Sequence, residues 1–111
     1  MAVEDLKIYQ KAIELVGKVY QLIKNNKALY NDFSLSDQIK RASISVATNI
    51  SEGYCRSKKY FKNYLKIASG SANEVTTLLL IIEKVYKIDT SFLQKEYKIL
   101  AKQMSSFAST F

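Results

Sequence analysis

The chain contains no histidine, proline or tryptophan, a single cysteine, Cys55, and three glycines, Gly17, Gly53 and Gly70. Each scarcity excludes something. Without histidine, the commonest general base and the commonest metal ligand are both missing. A lone cysteine forms no intrachain disulfide and suits a reducing interior, so a cytoplasmic protein is expected. The opening MAVEDLK carries two acids and no hydrophobic segment, so no secretory leader is expected. The longest apolar run, Val75–Ile82, is too short for a bilayer, so no membrane partner is expected. No glycine-rich phosphate loop or nucleophile–base pair is legible, so neither an enzyme nor a cofactor is expected.

What is present points to helices. With 48% hydrophobic residues in 111 and almost no breakers, long helices in one domain over residues 1–111 are expected. The net charge of +7 comes from Lys+Arg 17, of which only Arg41 and Arg56 are arginine. Such a balance favours polyanionic partners through counterion release; the competing reading is a lysine-rich, merely solvated surface.

Periodicity divides the chain into four helices. The first is expected from Val3 to Asn25, with two adjacent seams: Leu6, Tyr9, Ile13, Val16, Tyr20, Ile23, and Ile8, Ala12, Leu15, Val19, Leu22. This face is broad for one neighbour, so part of it is expected to meet a second helix or another subunit. Leu29, Tyr30 and Phe33 are expected to tuck under the following connection. The second helix starts at a Ser34 or Ser36 cap and runs to about Tyr54. The third, capped by Ser57, runs from Lys58 to about Tyr86; Gly70 in its interior suggests a close packing contact. The fourth follows a cap at Asp89 or Thr90 and carries Leu93, Tyr97, Leu100, Met104, Phe107 and Phe111. The small residues of the second and third helices should lie together as an antiparallel pair. The expected fold is all-α, an up-down-up-down four-helix bundle.

One stripe on the second helix is unusual. Asp37, Arg41, Ser45, Asn49, Glu52 and Arg56 follow one another at helical spacing and flank the apolar stripe instead of opposing it. Asp37, Arg41, Asn49, Glu52, Arg56 and Glu74 read as a structural polar network fixing helix register or a subunit interface. The functional alternative is a Glu52–Glu74 carboxylate pair for acid–base or metal chemistry, but a di-metal bundle draws on histidines that are absent.

A second group is Arg56, Lys58, Lys59, Lys62 and Lys66, interleaved with Tyr60, Phe61 and Tyr64 in a stretch free of acids from Tyr54 to Asn73. Lysines reach phosphates and exposed tyrosines stack on unpaired bases. The expected nucleic-acid-binding set is Lys40, Arg56, Lys58, Lys59, Tyr60, Lys62, Tyr64 and Lys66. Alternatively, Phe61 and one tyrosine belong to the core and the lysines are only solvated.

The segments Asp37–Ala42, Ser45–Gly53 with Arg56, and Ala68–Glu74 resemble the four-helix-bundle proteins encoded in intervening sequences of bacterial 23S ribosomal RNA genes. EDLKIYQKA and YFKNYLKIA are similar to the family pattern more loosely, and Ala47 departs from it where proline is frequent. The resemblance implies a left-handed bundle and a homopentamer. It also implies an RNA or DNA partner or a nucleic-acid enzyme, since related accessory variability proteins of diversity-generating retroelements bind a reverse transcriptase. The combined expectation is a non-enzymatic, basic, pentameric adaptor for nucleic acid or ribonucleoprotein. The alternative is a structural protein–protein scaffold with no nucleic-acid role.

Overall fold

The computed structural model describes residues 1–111: a 3-10 turn at Val3–Asp5 and five α-helices. These are α1 (Lys7–Lys24), α2 (Lys27–Asn31), α3 (Phe33–Tyr54), α4 (Lys58–Tyr86) and α5 (Ser91–Ala108). The four long helices pack antiparallel in up-down-up-down order, giving an all-α bundle of 43 × 20 × 20 Å. The α3–α4 and α4–α5 pairs are the most extensive, and α1 rests on α3 and α5 less closely.

The first helix is shorter than its periodicity suggests. The Asp5 carboxylate accepts the Ala2 N–H at 2.9 Å, closing a separate turn, and Leu6 is extended before α1 begins. Of the two seams, Ala12, Leu15 and Val19 enter the core, joined by Ile23. Ile13 and Tyr20 of the other seam remain exposed. α1 therefore carries an uncovered apolar strip beside α3.

α2 occupies the connection and changes the next cap. Asp32, rather than Ser34 or Ser36, accepts the Leu35 N–H at 3.1 Å. Ser36 points inward and donates to the Leu29 carbonyl. Leu29 is buried as expected, but Tyr30, on the outer side of α2, and Phe33, the first residue of α3, are exposed.

α4 has the bounds its periodicity implies, with the Ser57 hydroxyl accepting from Tyr60 N–H. By length and composition it is apolar enough to cross a membrane, yet 44% of that stretch is buried inside the bundle. It ends at Lys87 in the left-handed region (φ 58°). Across the following turn, the Glu83 carboxylate accepts the Thr90 N–H at 3.0 Å, and Thr90 Oγ1 donates to the Leu79 carbonyl at 3.1 Å. The cap position of α5 is Thr90, whose side chain makes no cap hydrogen bond; Asp89, one residue earlier, accepts the Ser91 N–H at 2.9 Å.

The small residues of α3 and α4 meet in part: the Ser45 and Ser71 hydroxyls stand 3.0 Å apart and Ala42, Ala68 and Ala72 are buried, whereas Ala47 turns toward α1. The tight glycine is not Gly70, whose added Cβ would meet nothing within 4 Å. It is Gly53, where a Cβ would lie 2.5 Å from the Cβ of Tyr64.

Candidate nucleic-acid interface

The tight turn between α3 and α4 assembles the aromatic and basic residues at one end of the bundle. Because Gly53 has no side chain, Tyr64 settles against α3. The Arg56 guanidinium then lies 5.8 Å from the Tyr60 ring centroid and 5.7 Å from that of Tyr64, distances suited to cation–π attraction. Arg56 also donates to Glu52 through Nε at 3.2 Å and through a terminal nitrogen. This hydrogen bonding, with the carboxylate's charge, raises the Arg56 pKa further. Tyr60 stays 53% exposed. Lys58, Lys59 and Lys66 are exposed and Lys62 is half-buried.

Phe61 is core, within edge and tilted contacts to Tyr54, Phe107 and Phe111. These contacts bring the end of α5 to the start of α4. Farther along, Ser69 Oγ donates to the Ala101 carbonyl at 3.0 Å and fixes the register of the two helices. The shallow groove between them is lined by Ser69, Asn73, Lys98, Ala101, Lys102 and Ser105. Residues 53–73 contain no acid, and neither do residues 97–111. Two acid-free segments distant in sequence thus form one face. Lys98 and Lys102 are absent from the set read from sequence; the signal that could have found them is the missing acid after Glu96.

Lys40 does not join this face. Its Nζ lies 5.1 Å from the Tyr20 ring centroid, between α3 and α1. It precedes Arg56 by sixteen positions, about 24 Å along α3 at 1.5 Å per residue.

The polar stripe is divided within the subunit. Arg41 pairs with Asp37 at 2.7 Å, with side chains 80% and 60% exposed, and Arg56 pairs with Glu52 in the same (i, i+4) manner. Asn49 Nδ2 donates to the Ser45 carbonyl at 2.8 Å and to Ser45 Oγ at 2.9 Å. Glu74 is exposed and has no ion-pair or hydrogen-bond partner in the subunit. The two ion pairs close locally at the surface, and the stripe's hydrogen bonds reach α4 only through Asn49 and Ser45, the Ser45 hydroxyl standing 3.0 Å from that of Ser71. No three acidic or cysteine side chains converge to a metal-binding group. Cys55 is exposed.

The model of the 23S rRNA-intervening sequence protein family matches residues 4–109. The chain belongs to that family. The matched span of this 23S rRNA-intervening sequence protein includes the polar stripe and the lysines of both α4 and α5. Its fold is similar to the crystal structure of a Bacteroides thetaiotaomicron protein of unknown function from the S23 ribosomal protein family. The TM-score is 0.82 at 25% identity, covering 91% of this chain and 97% of that one. No curated protein matches the chain.

Proposed function

We propose that this protein is a non-enzymatic, cytoplasmic adaptor that assembles as a homo-oligomer, with five subunits the expected number. It binds nucleic acid, or a nucleic-acid enzyme such as a reverse transcriptase, through its basic face. The observation that carries this reading is the lysine-bearing surface where α4 and α5 meet, with Lys98 and Lys102 lining their groove. On the α3 side of α4, at one end of the bundle, Arg56 stands beside Tyr60 and Tyr64 while paired with Glu52. Phosphates are attracted to such a surface with little sequence preference.

Self-association is supported by the open groove between α1 and α3. Tyr9, Ile13, Val16, Ile44 and Ala47 form its apolar lining, with Glu52 at its rim. Ile13 is 49% exposed and Ile44 39%, an uncovered strip suited to a protein neighbour. The same groove favours the second reading, a protein scaffold whose charge is incidental.

Light scattering of the protein alone and with mixed-sequence RNA and DNA, at low and moderate salt, tests both readings. The adaptor gives an oligomeric mass that gains nucleic acid at low salt and releases it as salt rises. An oligomer indifferent to nucleic acid favours the scaffold; a monomer rules out self-assembly. Charge reversal at Lys59 and Lys62 should weaken nucleic-acid binding, and unchanged affinity removes these lysines from the interface.

A further inference from the structure

We infer that the basic face selects single-stranded nucleic acid over duplex; this rests on the proposed nucleic-acid role and specifies its ligand. Lys59, Lys66 and Asn73 lie seven residues apart and therefore follow nearly one line along α4. Asn73 lines the α4–α5 groove with Lys98 and Lys102, so the line runs from Lys59 into that groove. Tyr60, next to Lys59 in sequence, turns to the α3 side of α4 with Arg56 and Tyr64. From Tyr60 to Asn73 is about 20 Å along the helix, enough for a few extended nucleotides.

The two ends of this track offer different chemistry. In the groove, two ammonium groups stand with the Ser105 hydroxyl and the Asn73 amide, which can donate to phosphate oxygens; the Ser69 hydroxyl is already given to the Ala101 carbonyl. At the turn, the half-exposed Tyr60 ring stands beside the Arg56 guanidinium. An aromatic ring and a guanidinium plane are stacking surfaces for a base, and a base is available for stacking only when it is unpaired. A duplex satisfies the lysines but leaves Tyr60 without a ligand. A flexible single strand that bends across the first turn of α4 engages both; a stiff duplex does not.

The test compares a labelled single strand of roughly 12 nucleotides with the same sequence annealed to its complement, by fluorescence anisotropy at low salt. The strand is expected to bind about tenfold more tightly than the duplex. Tyr60→Ala should lower strand affinity about tenfold and leave the salt dependence unchanged, whereas Tyr60→Phe should retain it. Lys102→Ala should instead reduce the salt slope, by roughly 0.7 for each phosphate that the lysine neutralises. Tyr60 is exposed, so its removal spares the core. Equal affinity for strand and duplex overturns the inference, as does a Tyr60→Ala protein that binds the strand normally; both leave the basic-face proposal standing. Absence of binding to either form overturns that proposal and the inference together.

Discussion

Gly53 of α3 lies so close to Tyr64 of α4 that a Cβ on the glycine would stand 2.5 Å from the tyrosine Cβ. The obstructing atom is next to the backbone, not at the end of a flexible side chain, so a rotamer change does not relieve the contact. Gly53→Ala must push the helices apart where they are held by the turn at residues 55–57. The expected cost is about 1–3 kcal/mol, seen as a lower urea midpoint. Gly70→Ala is the control. That site is exposed and open, so alanine should raise helix stability by about 1 kcal/mol.

Tyr97 is completely buried, and its hydroxyl makes no well-formed hydrogen bond. The nearby Ser43 hydroxyl, which offsets burial only in part, donates instead to the Lys40 carbonyl at 2.9 Å. Burial drives its pKa well above the usual phenol range. Tyr97→Phe removes the unsatisfied hydroxyl and preserves the ring, so a gain of about 1 kcal/mol is expected. Thermal unfolding measures it, and an unchanged or lower midpoint would show that the hydroxyl is satisfied in solution.

Asp32 gives the bundle a pH-dependent clasp. Its Oδ2 accepts the Tyr86 hydroxyl at 2.6 Å while Oδ1 caps α3. The Tyr86 hydrogen bond, followed by the Leu35 N–H, lowers the Asp32 pKa in the folded protein. This contribution is fully present above the unfolded carboxylate pKa, near 3.9, and is lost as pH falls through the depressed folded value. Asp32→Asn should destabilise the protein at neutral pH and flatten the acid limb of its stability curve. An unchanged acid limb would assign that limb to other carboxylates.

Glu52→Gln weakens the pairing with Arg56, but both side chains are about half exposed. Little change in the stability of an isolated subunit is expected, because water screens such pairs. If the residue instead serves contacts between subunits, the variant will dissociate at higher protein concentration than the wild type. Sedimentation at several concentrations distinguishes the two.

Much of the architecture was legible because hydrophobic spacing carries it. Leu65, Ala68, Ala72, Val75, Leu79 and Ile82 have few alternatives to a helix with one buried face, and α4 has the expected bounds. Caps were less legible. A serine followed by an acid looked like a start for α3, yet α2 took up the connection and gave the cap to Asp32. Glycine was ambiguous for a similar reason: a mid-helix Gly70 and a helix-end Gly53 differ only in what stands opposite them.

The candidate interface divides along the same line. Tyr60 and Tyr64 share one side of α4 by helical spacing, and the short turn before that helix brings Arg56 to them, so nine positions of local sequence hold the cluster. Lys98 and Lys102 meet Ser69 and Asn73 through the packing of α5 on α4, a contact between segments some thirty residues apart. Lys40 stands apart because helix length separates what charge alone would group. Local periodicity, acting over one or two turns, determined the helices and which stripe of each is apolar. Only tertiary packing decided which stripes met and which charges shared a surface, because that choice depends on the register of helices far apart in the chain.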